Sequence, residues 1–149
     1  MRVKVLGDGP DREKLEALAV QLNAPVDFLG YTAYELMAAY LRASDITVNS
    51  LVKSAAQSIV TKIGDYLASG NPMINTGSSP EFRAKVTADG FGVNVEAEDA
   101  QALADAIAKL AGHASLRKIM GSKARAVAEK EFDQPRAYRE IVDLLRTLL

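Results

Sequence analysis

Cysteine is absent from the 149-residue sequence. Disulfide scaffolds, thiolate metal sites and thiol nucleophiles are therefore excluded. Histidine occurs once, at His113. A histidine-rich metal cage and a two-histidine zinc motif are excluded with it. There is no excess charge of either sign: 18 Lys and Arg stand against 19 Asp and Glu, a net charge of -1. A broad electrostatic grip on nucleic acid or on an anionic membrane needs surplus positive charge, so neither is expected. No apolar run approaches the roughly 20 residues that span a bilayer. The start, Met1-Arg2-Val3-Lys4-Val5-Leu6, is too short and too charged for a signal peptide, which points to the cytoplasm. What remains is an ordinary globular mix, 48% hydrophobic and 25% charged, of a length that suits one domain over 1–149.

Short β-rich runs alternate with helical stripes. Val3, Val5 and Leu6 mark a strand, broken by Gly7-Asp8-Gly9-Pro10. Asp11 is placed to cap a helix carrying Leu15, Leu18, Ala19 and Leu22. Val26 to Leu29 is a second strand closed by Gly30, and Thr32 is expected to cap a helix with Leu36, Met37, Tyr40 and Leu41 on its stripe. Asp45 to Val48 is a third strand, followed by a loop over 49–56 and a helix from about Gln57 to Ser69. Gly70 stops that helix as a C′ glycine does. Pro72 to Asn75 is a fourth strand, Glu81 to Thr87 a short helix, and Phe91 to Val95 a fifth strand. Three helical stripes follow, the last being Ile141, Leu144, Leu145 and Leu148 after Pro135.

This alternation predicts an α/β fold: a Rossmann-like parallel sheet of about five strands with helices on both faces. Right-handed crossovers place the strand-to-helix loops on one rim, where ligands of such sheets bind. The loops are 7–10, 30–32, 49–57 and 76–81. The loop from Asn49 to Ser58 ends at a helix start, where free N–H groups favour an anion such as phosphate. The plainer reading is a helix capped by Ser54 or Ser58 and facing water. Lys62 and Asp65 are three apart and share a helix face, as a site pair or a solvated one. Glu81 is by default a solvated carboxylate. His113 falls between two helices and reads as a loop or capping residue. Gly7-Asp8-Gly9-Pro10 has too few glycines for a dinucleotide fingerprint. The five tyrosines are scattered and form no stacking platform for single strands.

Several segments, taken in order, resemble one family. Gly7-Asp8-Gly9-Pro10 looks like its "GdGp" segment, and Val26 to Tyr31 looks like its "V-x-F-l-G". Ala43 to Ser50 looks like "a-a-D-v-f-v-l-P-S", and Asp65 to Ile74 is similar to "E-a-m-A-x-G-x-P-v-i". Phe132 to Leu145 resembles its terminal helix. The family is the family-four retaining glycosyltransferases of GT-B fold, and the likeness is to their C-terminal, donor-binding domain. The resemblance implies transfer of a sugar from a UDP- or GDP-linked donor with retention, without a metal or other cofactor. It places Gly30 and Tyr31 near the base, Gln57 at the sugar and Asp65 at the ribose. The backbone of Ser58 and Ile59 falls to the diphosphate, Lys62 to phosphate charge, and Glu81 beside the sugar.

The sequence departs from the family at the two glutamates of the donor site, which fall on Gln57 and Asp65. A variant pattern, "S-x-x-n-K-x-x-D-Y-L-A-x-G-x-P", fits Ser58, Lys62 and Asp65. The resemblance also implies that the first strand–helix unit of the domain and the whole N-terminal acceptor domain are missing. The sheet should then close up, or a second copy should fill the gap. The expectation is a half-enzyme, inactive alone, serving cell-envelope polysaccharide or glycolipid synthesis and touching membrane only through the absent domain. The competing expectation is a non-catalytic α/β module that assembles with a partner chain, or with itself through the sheet edge or the C-terminal helix. A nucleotide-sugar epimerase is a weaker third reading, since those sites lean on histidine and further charged groups.

Overall fold

A computed structural model of the chain describes residues 1–55 and 61–148. Its elements run β1 (Val3–Leu6), α1 (Arg12–Gln21), β2 (Val26–Gly30), α2 (Tyr34–Ala43), β3 (Thr47–Asn49), α3 (Ile63–Ala68), β4 (Met73–Asn75), α4 (Pro80–Asp89) and β5 (Gly92–Asn94). Three helices follow: α5 (Ala100–Gly112), α6 (Ala114–Glu131) and α7 (Gln134–Thr147). Every strand pair is parallel, as the alternation of elements predicts. Among the described residues the strands form two sheets, β1-β2 and β3-β4-β5.

The chain divides into two compact units, Met1–Tyr40 and Leu41–Leu149. In the first, Val3 pairs with Val26 and Val5 with Phe28, with a register shift between Val5 and Leu6. Asp27 on β2 accepts from Arg2 at 2.6 Å and also pairs with Lys4, and these cations hold its carboxyl well below the usual range. No apolar side chain of this unit is buried; Leu15 and Leu18 on α1 are nearly half exposed. Asp11 stands at the α1 N-cap but makes no side-chain cap bond. Thr32, expected to cap α2, instead donates its hydroxyl to Gly30 O at 3.2 Å.

The second unit holds the core. Alternate residues of a strand face opposite sides of its sheet, so β4 supplies two apolar layers. Met73 packs with Ile63, Leu67, Phe82, Val86, Phe91, Ala124 and Ala128, which brings α3, α4 and α6 to one face. Ile74 packs with Val95, Ala106 and Leu110, which brings α5 to the other. The helix ends are closed locally. Ser79 Oγ accepts from Phe82 N–H at 3.3 Å with Pro80 in the first turn, and Asp99 accepts from Ala102 N–H at 2.9 Å. Gly70 follows α3 at φ +76°, the left-handed C′ position the sequence assigns to it. Arg125 of α6 donates to Ala68 O at 2.9 Å, and Arg117 donates to Leu110 O and Ala111 O at the end of α5. The apolar stripe of α7 stays exposed, with Leu148 at 74%.

Candidate functional site

The strand exits can be built up within each unit. In the first, Gly7 N–H donates to Gly30 O at 2.8 Å, so the loops after β1 and β2 meet. Asp8 ties them further: it pairs with Arg12 and accepts from Tyr31 N–H at 2.9 Å. Arg12 and the Tyr31 amide both favour the carboxylate and hold its pKa down. Gly30 sits at φ +70°, and a Cβ there would lie 2.8 Å from the Arg12 guanidinium. The left-handed φ is what favours glycine here, since the guanidinium end of Arg12 can move aside. Tyr31 projects beyond this junction, 85% exposed.

Asp8 therefore gives the junction a pH dependence. Its folded pKa lies below the ordinary value near ~3.9, so its contribution is present above that value and lost as pH falls through the folded pKa. The Tyr31 amide should lose protection from hydrogen exchange in that acid range. In Asp8→Ala it should be unprotected at every pH. An unchanged exchange rate in Asp8→Ala would rule out the tie.

In the second unit the exits of β3 and β4 are laced together. Thr76 N–H donates to Asn49 O at 3.0 Å, and Thr76 Oγ1 both accepts from Leu51 N–H at 2.7 Å and donates to Leu51 O at 2.8 Å. Beneath them runs a side-chain relay that the sequence reading missed. Asn49, Asn75 and Asn94 are register partners, the last residues of β3, β4 and β5. Asn49 Nδ2 donates to Asn75 Oδ1 and Asn75 Nδ2 to Asn94 Oδ1, each at 2.9 Å. Asn94 Nδ2 donates to Arg83 O at 2.8 Å, and Asn75 Oδ1 also takes Gly77 N–H at 3.1 Å. The signal was present: three short strands each end in a β-branched residue followed by Asn (Val48, Ile74, Val93).

Lys62 precedes α3 and is half-buried, its ammonium 5.7 Å from the centroid of the Tyr66 ring. Burial pushes its pKa down. Burial, and then the nearby charge of Asp65, push the Tyr66 hydroxyl up. Asp65 lies in the first turn of α3. Glu81 lies in the first turn of α4, where its own backbone N–H and the Ser79 hydroxyl at 2.9 Å keep its pKa low. That is a solvated, locally bonded carboxylate. Gln57, Ser58 and Ile59 lie outside the described residues. His113 is a capping residue as read from the sequence: it joins α5 to α6 with Nδ1 2.6 Å from Lys109 O. Among the described residues no cluster of three or more His, Asp or Glu side chains is placed to hold a metal. No helix among them is long and apolar enough to cross a membrane.

An uncharacterized glycosyltransferase of Methanocaldococcus jannaschii, MJ1069, is 28% identical over 148 residues, covering 97% of this chain and 36% of the relative. Sucrose-phosphate synthase from Thermosynechococcus elongatus superposes with TM-score 0.82 at 23% identity, over 99% of this chain and 38% of that one. Anabaena HepE, solved in complex with UDP, superposes with TM-score 0.83 at 19% identity, over 99% of this chain and 41% of that one. The chain thus spans about two fifths of the length of its relatives, and its architecture is one part of the GT-B fold. The family model for glycosyl transferases group 1 matches residues 1–113, and the chain belongs to that family.

Proposed function

We propose that the chain binds the nucleotide-sugar donor of a retaining glycosyltransferase, and that transfer needs the acceptor-binding part that longer relatives have room for. The observation that carries this reading is family membership joined to near-complete superposition on the Anabaena protein solved with UDP. Side chains at the start of α3 and after β2 suit the role. Asp65 is a carboxylate able to accept from ribose hydroxyls, and Lys62 a cation whose partial burial strengthens its pull on a diphosphate. Gly30 and Tyr31 offer a glycine-shaped junction with an exposed ring for the base. Gln57, Ser58 and Ile59 complete the proposal at the sugar and diphosphate, with Glu81 steadying the loop over 76–79. As the nucleotide leaves, fixed positive groups around the diphosphate would offset the developing charge. The setting proposed is cytoplasmic cell-envelope polysaccharide or glycolipid synthesis, with the donor held without a metal.

Titration of labelled chain with UDP, GDP and ADP, read by backbone amide shifts, tests this. Shifts at Gly30–Tyr31 and Lys62–Asp65 with one nucleotide, unchanged by a chelator, are expected. No shifts with any nucleotide would overturn it. Asp65→Ala should weaken binding by about 10- to 100-fold, the loss of one or two charge-assisted hydrogen bonds. Equal affinity would remove Asp65 from the ribose role.

The exposed stripe of α7 favours a second reading, assembly with another chain. Light scattering separates the two: a strict monomer at high concentration that still binds a nucleotide supports the donor half-site alone.

A further inference from the structure

We infer that Glu98 is a latch on the loop after β3, holding it through a carboxylate that sits on a strained backbone. Every residue involved lies in the 41–149 unit. The segment between β5 and α5 contains a turn over Glu96, Ala97, Glu98 and Asp99, closed by Asp99 N–H on Glu96 O at 3.4 Å. Glu98 is the third residue of that turn, at φ +66°. Turns that need a positive φ at this place use glycine or asparagine. Among the described residues two that are not glycine have a positive φ, Asn23 and Glu98. Asparagine tolerates the left-handed region because its short side chain bonds locally; glutamate has no such relief.

The neighbours of Glu98 explain why the backbone stays there. Ala97 is 5% exposed, and Asp99 caps α5 through Ala102 N–H. Fixed on both sides, the turn is over-determined, which is the condition for strain to persist. The neighbours do not explain why the residue is a glutamate. Glycine would take the same turn without strain. What glycine lacks is the carboxylate, and that group reaches a residue 45 positions away: Glu98 Oε1 accepts from Lys53 N–H at 3.2 Å.

Lys53 is the second residue of a turn over 52–55, closed by Ala55 N–H on Val52 O at 3.0 Å. The closing bond leaves Lys53 N–H in need of an acceptor from outside the turn. The bonds to Thr76 fix the loop as far as Leu51. The Glu98 bond carries the hold two residues farther. A carboxylate on a backbone N–H makes a charge-assisted bond, about twice as strong as a neutral one. Both groups are exposed, so the bond opens without unpacking the core. The turn ends two residues before Gln57. Glu98 is thereby a positioning residue for the nucleotide, a role that rests on nucleotide binding as proposed above, whereas the latch itself does not.

Glu98→Gly, Glu98→Ala and Glu98→Gln, set beside the parent chain, test this by amide exchange, thermal unfolding and titration with UDP, GDP and ADP. Lys53 N–H should exchange about tenfold faster in the Gly and Ala variants. It should stay within about threefold of the parent in the Gln variant, which keeps an acceptor oxygen. The Gly variant sheds the strain, so it should melt no lower than the parent and about 2 °C or more above the Ala variant. The nucleotide that binds the parent should bind the Gly variant about fivefold more weakly or worse, with the Gln variant close to the parent. Affinity lost without stability lost marks positioning, since a purely structural residue would move both together. Equal Lys53 exchange in all four chains overturns the latch, and a Gly variant that melts as low as the Ala variant overturns the strain. Equal affinity of the parent and the Gly variant overturns the positioning role. A parent chain that binds none of the three nucleotides defeats the donor reading instead, and exchange and melting then decide the latch by themselves.

Discussion

Gly121→Ala should destabilise the 41–149 unit by more than about 3 kcal/mol, a large share of the roughly 5–15 kcal/mol that holds a typical domain together. The reason is space. A Cβ at Gly121 would lie 2.1 Å from Gly70 O and 3.1 Å from its carbon, backbone that cannot swing aside. The contact is where α6 crosses the end of α3, a few residues from the Arg125 bond to Ala68 O. Relief requires α6 to move away, and α6 carries Ala124 and Ala128 of the Met73 layer. Urea unfolding followed by far-ultraviolet circular dichroism measures the loss. Gly112→Ala is the control, since nothing lies within 4 Å of a Cβ there and alanine is the better helix former. Equal midpoints for the two variants would refute the close approach.

Asn75→Ala should have the second-largest effect, about 2–4 kcal/mol, together with loss of order at two strand exits. Asn75 is the middle of the relay. Its removal strands Asn49 Nδ2, Asn94 Oδ1 and Gly77 N–H at once. The stability loss should appear in denaturant unfolding. The local effect should appear as faster hydrogen exchange at Gly77. A variant that loses stability while Gly77 keeps its protection would show that the relay does not hold the loop. Asn94→Ala should cost less, because it removes the end of the relay, the bond from Asn75 and the bond to Arg83 O, and leaves the buried bond from Asn49 to Asn75 in place.

Most elements were legible because their punctuation is local. Gly70 ends α3 where the sequence places it, α4 opens at Pro80, one residue before the expected Glu81, and short apolar runs between turn residues mark β1 to β4 to within two residues. What was not legible depends on pairs far apart in the chain. The tie from Asp8 to Tyr31 spans 23 residues, and the bond from Asn49 to Asn75 spans 26. Each needs the register between strands, which neither partner's own segment reveals. The hydroxyl of Thr32 went astray for a related reason: the left-handed turn at Gly30 offers it a carbonyl two residues back. The family resemblance supplied the domain type and the site residues. It did not supply the division of the strands into two sheets.

The unburied apolar side chains of residues 1–40 have a calorimetric consequence. The heat-capacity rise on unfolding comes from apolar surface newly opened to water. This unit already shows much of that surface to water, with Leu22 65% exposed and Val20 82%. Its melting should therefore carry a small heat-capacity step and a shallow dependence of stability on temperature. The 41–149 unit, with Phe91, Ile63, Leu67 and Leu110 fully enclosed, should contribute nearly all of the step. Whatever segment comes to cover the apolar face of residues 1–40 would announce itself as added heat capacity in that first unit.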